Sequence, residues 1–202
     1  MFVKDKCRLP IMRKQVLFVH CGGSQGLHEG SNDLVNYMRD RLGREYEVLY
    51  PIMPDPESPE YLLWKLILAR EITRLEGSPI LVGHSLGGSV LLKYLSEEAP
   101  DKSISGLFLI AAPYWGKQDW QADEYILRED FSSGLAGIPQ IFLYHSLNDE
   151  VVPFSHLKFY AEKLPFAVIR ESGNRRHLFY TGLPELVADI RSLPIRQTGD
   201  KP

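Results

Sequence analysis

The sequence is poor in cysteine, has no long apolar run and carries no strong excess of either charge. Its two cysteines, Cys7 and Cys21, are too few for a disulfide framework or a cysteine-based metal site. No apolar run approaches the roughly 18 residues that span a bilayer. The N-terminal residues carry charges where a secretory signal has an apolar core. We therefore expect a cytoplasmic protein that does not enter the membrane.

The small net charge limits the classes of partner. Over 202 residues the formal net charge is −3, which gives no electrostatic basis for binding nucleic acid or an anionic membrane surface. The length fits one domain over residues 1–202, with a leader at 1–14 and a polar tail at 195–202 expected to be loosely ordered. We expect a small-molecule or short peptide-like substrate, and the sequence does not indicate a protein partner.

Short apolar runs alternate with amphipathic stretches, which predicts alternating strands and helices. Strands are expected over residues 16–19, 47–50, 80–82, 106–112, 138–145 and 166–169. Helices are expected over about residues 32–43, 59–77, 86–98, 154–164 and 184–192. Such alternation predicts a three-layer α/β/α sandwich around about six mostly parallel strands.

The second helix and the region after the fourth strand carry two further expectations. Ser58 is expected to cap the helix, with Pro59 at its first position. Apolar residues at steps of four and three predict one buried stripe, made of Leu62, Leu66, Ala69, Ile72 and Leu75. Residues 114–137 are rich in aromatics but show no clean period.

The most informative motif is Gly83-His84-Ser85-Leu86-Gly87-Gly88, between an apolar run and an amphipathic stretch. A strand that passes through Gly-x-Ser-x-Gly into a helix makes a tight turn that exposes the serine hydroxyl. Free N–H groups at the helix start face the same space and can bind an oxyanion. A tight turn without chemistry is the alternative, because the pattern arises by chance in roughly one chain of this length in ten or twenty.

A serine nucleophile needs a base and an acid that orients it. Of the six histidines, His177 follows the last strand, at the sheet edge where the serine is expected. The others are less well placed: His20, His28, His84, which is expected to point away, His145 and His156. Asp149 follows the fifth strand, so the order Ser85, Asp149, His177 fits one hydrolase architecture. Glu150 is the alternative acid, and a turn or cap role for Asp149 is the plain alternative.

These motifs, with Asn148-Asp149-Glu150-Val151-Val152-Pro153, resemble the α/β-hydrolase superfamily. The small size, the absence of a cap domain and Met53-Pro54-Asp55-Pro56 resemble more narrowly the small serine hydrolases of the retinoblastoma-binding-protein-9 and YdeN type. The resemblance covers about residues 15 to 193.

The resemblance implies roles for individual residues. Ser85 is implied as nucleophile, His177 as base and Asp149 as orienting acid. The backbone N–H of Leu86 is one implied oxyanion donor, and Gly22 or Gly23 supplies the second. Many relatives have His-Gly where this chain has His20-Cys21, and glycine where it has Arg176. The implied reaction is cleavage of a small carboxylic ester, thioester or peptide-like amide, without cofactor or metal.

Substrate choice has several interpretations. Tyr114, Trp115 and Trp120 follow the fourth strand and either line a substrate pocket or cover the sheet. Arg175 and Arg176 either meet a substrate carboxylate or lie in a solvated loop. Two other functions fit the same residues: an acyltransferase using the same triad, and a weakly catalytic or non-catalytic binding protein on a hydrolase scaffold.

Overall fold

The computed structural model describes residues 13–98, 101–117 and 119–194. Most of the expected leader, and the whole tail at 195–202, lie outside the described residues. The first strand begins at Lys14, two residues earlier than the apolar run predicted.

A parallel sheet forms the centre of the described chain. Its strands are β1 (Lys14–Val19), β2 (Tyr46–Leu49), β3 (Ile80–His84), β4 (Gly106–Ile110), β5 (Ile141–Ser146) and β6 (Val168–Ser172). Their order is β2-β1-β3-β4-β5-β6, and every neighbouring pair is parallel. Strand order reverses between β1 and β3, and ligands in such sheets bind at the carboxyl edge beside this switch point.

Helices cover both faces of the sheet. They are α1 (Asn32–Leu42), α2 (Tyr61–Arg74), α3 (Leu86–Glu98), α4 (Ser155–Lys163) and α5 (Pro184–Ser192). One apolar cluster joins the sheet to α1 and α5, and the other joins it to α2, α3 and α4. Successive strand residues alternate between the clusters, as Phe18 and Val19 do, because side chains of a strand point to opposite faces. The predicted three-layer sandwich is confirmed.

The prediction for the second helix was wrong in its start and in the first half of its buried stripe, whereas Ile72 and Leu75 are buried as predicted. The helix begins at Tyr61, with Glu60 rather than Ser58 at its N-terminal boundary. Leu62 and Leu66 are each 67% exposed, whereas Trp64 is fully buried. The Trp64 indole N–H donates to a backbone carbonyl in the preceding loop, so the largest side chain takes the core position and rotates the leucines outward.

The last strands also differ from the predicted bounds. β5 begins at Ile141 instead of Ile138, and β6 covers Val168–Ser172 instead of Phe166–Ile169. The loop that carries His177 therefore begins at Gly173. No helix among the described residues is long and apolar enough to cross a membrane.

Candidate active site

Ser85 lies at a strained turn between β3 and α3. Its φ of +52° is in the left-handed region that L-residues rarely adopt. The turn requires glycine on both sides, because a Cβ on Gly83 would lie 2.6 Å from Gly88 Cα, and one on Gly87 would lie 2.3 Å from the Val19 carbonyl oxygen. This packing holds the serine hydroxyl above the carboxyl edge of the sheet.

His177 lies between the serine and a carboxylate. The Ser85 hydroxyl is 3.0 Å from His177 Nε2, and His177 Nδ1 is 2.9 Å from Asp149 Oδ2. An ionised carboxylate only accepts hydrogen bonds, so the neutral ring carries its hydrogen on Nδ1. Nε2 is then the acceptor that faces the serine hydroxyl. The structure therefore brings together the three side chains that the sequence singled out.

The Asp149 carboxylate is completely buried and fully engaged. Its Oδ1 accepts the backbone N–H groups of Val151 at 2.9 Å and Val152 at 2.8 Å. Burial raises the pKa of Asp149, but hydrogen bonds from His145 and His177 and the Val151 N–H outweigh it and hold the pKa well below its usual range. Asp149 is therefore ionised at neutral pH.

The two candidate oxyanion glycines differ in their hydrogen bonds. The Gly23 N–H donates to the Pro56 carbonyl at 2.6 Å and is therefore already used. Gly22 lies beside Leu86, since a Cβ on Gly22 would be 3.6 Å from Leu86 Cδ2. Leu86 is the first residue of α3, where backbone N–H groups have no partner within the helix.

The Gly22 N–H is oriented by the carbonyl of the same peptide group. The Cys21 carbonyl accepts His20 Nδ1 at 2.6 Å and Gln25 Nε2 at 3.2 Å. His20 Nε2 accepts the Met53 N–H at 2.8 Å, which leaves the ring hydrogen on Nδ1. In a trans peptide the N–H points opposite to the C=O. The Gly22 N–H therefore points away from the His20 and Gln25 side chains.

Two histidines that the sequence did not assign to the site contact its residues. His145 Nε2 donates to the Val152 carbonyl at 2.8 Å and lies 3.4 Å from the Asp149 carboxylate. His84 is fully buried, bonds to Ser31 and to the backbone of His177, and its ring centroid lies 5.2 Å from that of the His177 ring. Burial lowers the pKa of His84 to about 4, so its ring is neutral near pH 7.

The remaining histidines do not join the triad. His156 Nδ1 accepts the Tyr114 N–H at 2.8 Å, and burial lowers the pKa of His156 to about 4. His28 pairs with Asp33 at the surface. Among the described residues, no group of three or more histidine, cysteine, aspartate or glutamate side chains is arranged to hold a metal ion.

The charged residues beside the base have structural partners. Glu150 accepts the backbone N–H of His177 at 3.2 Å and pairs with the Arg176 guanidinium at 3.2 Å. Its carboxylate therefore meets the backbone of His177, while the ring nitrogen meets Asp149. Arg175 donates to the Gly182 carbonyl at 3.0 Å. Arg176 has a φ of +57°, which fits the glycine that relatives carry there.

The three aromatic residues after β4 pack against α3 and α4. Tyr114 lies 4.8 Å from the Tyr160 ring, and the Trp115 indole donates to the Ser89 hydroxyl at 3.0 Å. Trp120 packs on Trp115 with ring centroids 5.2 Å apart. Within the described residues, no hydrogen bond or ring contact joins these three side chains to the triad.

Comparison with solved structures places this fold among known hydrolases. The ydeN gene product of B. subtilis superposes with a TM-score of 0.73 at 21% identity, covering 89% of this chain and 97% of that chain. The serine hydrolase CarC, involved in carbazole degradation, gives 0.65 at 15% identity over 88% and 89%. Est1E from Butyrivibrio proteoclasticus gives 0.63 at 16% identity over 90% and 86%. At these identities the likeness shows the α/β-hydrolase fold.

The sequence itself also matches a family model. Residues 37–180 match the model described as serine hydrolase. Comparison with curated protein sequences gave no match. The matched segment runs from α1 to the loop after β6 and contains Ser85, Asp149 and His177. Because it covers more than half of the chain, this protein belongs to the serine hydrolase family, within the α/β-hydrolase superfamily.

Proposed function

We propose that this protein hydrolyses a small carboxylic ester, thioester or peptide-like amide through an acyl-enzyme on Ser85. The observation that carries the proposal is the unbroken hydrogen-bond series from Ser85 Oγ through both nitrogens of His177 to Asp149. This series lies at the carboxyl edge of the sheet, where β1 and β3 provide the adjacent loops. A hydroxyl, a neutral imidazole and a buried carboxylate in this order form a general-base system.

The reaction proceeds in two halves. Ser85 Oγ attacks the carbonyl carbon as its proton passes to His177 Nε2, and the resulting imidazolium is stabilised by the Asp149 carboxylate. The imidazolium then protonates the leaving group, and the acyl-enzyme forms. Water, deprotonated by the same ring, attacks the acyl carbon. Collapse of the second tetrahedral intermediate frees the acid and regenerates the serine.

The backbone N–H groups of Leu86 and Gly22 are the proposed oxyanion donors. The arrangement favours Gly22 over Gly23, because the Gly23 N–H already donates to Pro56. Donors fixed before the reaction stabilise the developing charge without reorganisation, and removal of one typically costs about 3–4 kcal/mol. The proposed mechanism needs no cofactor.

The packing of the segment between β4 and β5 favours a small substrate. It contains two short 3₁₀ helices, Asp123–Tyr125 and Phe131–Leu135, whose buried side chains join the cluster beside α3. The segment therefore packs against the body of the protein. We propose that the acyl pocket is shallow and takes small acyl groups, with Tyr114, Trp115 and Trp120 as its outer wall.

A fluorophosphonate probe tests the proposal directly. We expect covalent labelling at Ser85 that is abolished in Ser85→Ala and His177→Ala. His28→Ala is the matched control, because it removes a histidine paired with a carboxylate away from the serine, and it is expected to label normally. A panel of acetyl and butyryl esters, thioesters and aminoacyl amides then identifies the bond. A folded wild-type protein that is not labelled would instead favour a binding protein on a hydrolase scaffold.

A further inference from the structure

We propose that Ser31 and His84 form a positioning pair that connects the oxyanion loop to the catalytic base. The inference rests on the proposed function, since it assigns these residues to the placement of His177 and Gly22. Neither side chain is expected to touch the substrate. Both are fully buried, and each bonds to a segment that the reaction requires.

Three hydrogen bonds make the connection. The Cys21 N–H donates to Ser31 Oγ at 3.0 Å, Ser31 Oγ lies 2.8 Å from His84 Nδ1, and His84 Nε2 lies 2.9 Å from the His177 carbonyl oxygen. The series spans 53 residues from Ser31 to His84 and 93 from His84 to His177. It therefore joins the loop after β1, the turn after β3 and the loop after β6.

The chemistry of the partners fixes every hydrogen in this series. The His177 carbonyl can only accept, so His84 carries its hydrogen on Nε2. His84 Nδ1 is then an acceptor, and the Ser31 hydroxyl donates to it. A Ser31 lone pair is left to accept the Cys21 N–H. The lowered pKa of His84 agrees with this arrangement, because a neutral ring is required.

The Ser31 hydroxyl bonds to His84 instead of capping the helix that follows it. Serine before a helix normally accepts a backbone N–H of the first turn, which stabilises the start of the helix. Here Ser31 precedes α1 but makes no such side-chain bond. Its hydroxyl points to His84, so the hydrogen bond that a capping serine usually makes is replaced by one that reaches across the fold.

The pair bonds to the two segments that hold the proposed oxyanion donor and the base, where a small displacement is expected to lower the reaction rate. Cys21 immediately precedes Gly22, whose N–H is the proposed oxyanion donor. The His177 carbonyl belongs to the residue that carries the base, and His84 is the neighbour of Ser85. A displacement of about 1 Å in such a site can cost about 10²-fold in rate. Loss of the pair is therefore expected to lower kcat rather than substrate affinity.

Replacing His84 by glutamine or asparagine tests its two hydrogen bonds separately, because the two amide side chains differ in length. His84→Gln places an amide N–H where Nε2 donates to the His177 carbonyl, whereas His84→Asn is too short for that bond and reaches only Ser31. Ser31→Ala removes the middle of the series and leaves His84 in place. Tyr144→Phe is the matched control, since it removes a buried hydroxyl bonded to Asp189, outside the site.

Each variant is measured with p-nitrophenyl acetate, and kcat is divided by the number of sites titrated with the fluorophosphonate. We expect about a 10- to 100-fold fall for His84→Asn with KM changed less than about twofold, and recovery to within about fivefold in His84→Gln. Ser31→Ala is expected to fall about three- to tenfold. Its result decides the proposal if His84→Asn does not fold. Tyr144→Phe is expected to keep kcat per site.

Three outcomes would overturn the inference. The first is that His84→Asn and Ser31→Ala both keep the kcat per titrated site of the wild type. The second is that His84→Gln and His84→Asn lose the same factor in kcat per site. The third is that the number of titrated sites falls while kcat per site is unchanged. The last would mean that the pair only supports folding. If the wild-type protein is neither labelled nor active, the proposed function itself fails, and this result is distinct from the other three.

Discussion

Replacement of Asp149 by asparagine has an effect that follows from the hydrogen bonds its carboxylate accepts. Oδ1 accepts two backbone N–H groups, from Val151 and Val152, so the asparagine oxygen must remain there. The amide NH2 then takes the Oδ2 position, 2.9 Å from His177 Nδ1, while the amide oxygen lies 3.0 Å from the same nitrogen. Because the NH2 group has the shorter contact and can only donate, it favours the tautomer with hydrogen on Nε2, and that nitrogen cannot accept the serine proton.

The expected loss in kcat is about 10⁴-fold, which is typical of a triad with the wrong tautomer and corresponds to about 5.5 kcal/mol of transition-state stabilisation. The assay is kcat for p-nitrophenyl acetate, with circular dichroism to show that Asp149→Asn is folded. Glu150→Gln is the matched control, because its amide oxygen still accepts the His177 N–H, and it is expected to lose less than about threefold. A kcat for Asp149→Asn within tenfold of wild type, or an equal loss in Glu150→Gln, would refute the assignment of the acid.

Three further predictions concern stability, each measured by urea unfolding. Gly87→Ala is expected to lose about 3 kcal/mol or more, because its Cβ would meet strand backbone, while Gly137→Ala, with open space around it, should stay within about 0.5 kcal/mol; equal effects would contradict the tight turn. Leu68→Ala is expected to lower the free energy of unfolding by about 2–5 kcal/mol and Leu66→Ala by less than about 0.5 kcal/mol, because Leu68 is the buried residue of the two in α2. A larger loss for Leu66→Ala would instead support the stripe predicted from the sequence. The lowered pKa of His84, about 4 against an ordinary 6.5, means that its contribution to stability is full above pH 6.5 and is lost, by up to about 3 kcal/mol, as the pH drops from 6.5 to 4; the lowered pKa of His156 adds to the fall in the same range, and a flat profile from pH 7 to 4.5 would contradict both.

The positions of the triad residues were predictable because each follows a strand. Parallel strands bring their carboxyl ends to one edge, so Ser85, Asp149 and His177 were placed together without knowledge of the strand order. The phase of α2 was not predictable in the same way. Leucines occur on two faces of that helix, and periodicity alone does not show that Trp64 takes the core position.

The supporting contacts were beyond the reach of sequence patterns. Nothing in the spacing of Ser31, His84 and His177 indicates that they bond, because the contacts depend on how three loops meet above the sheet. The preference for Gly22 over Gly23 as the proposed oxyanion donor likewise rests on the Pro56 carbonyl. Motifs identify groups that react, whereas buried polar groups find their partners only in the packed fold.

The base and the acid lie in the loops that follow β6 and β5, two strands on the same side of β3 in the sheet. β6 lies at one edge of the described sheet and is the last of the described strands along the chain, and the loop after it carries His177. A chain synthesised only through β4 contains Ser85 and Gly22 but neither Asp149 nor His177. On the proposed mechanism, we expect that a product truncated before β6 lacks the base and is not labelled by a fluorophosphonate.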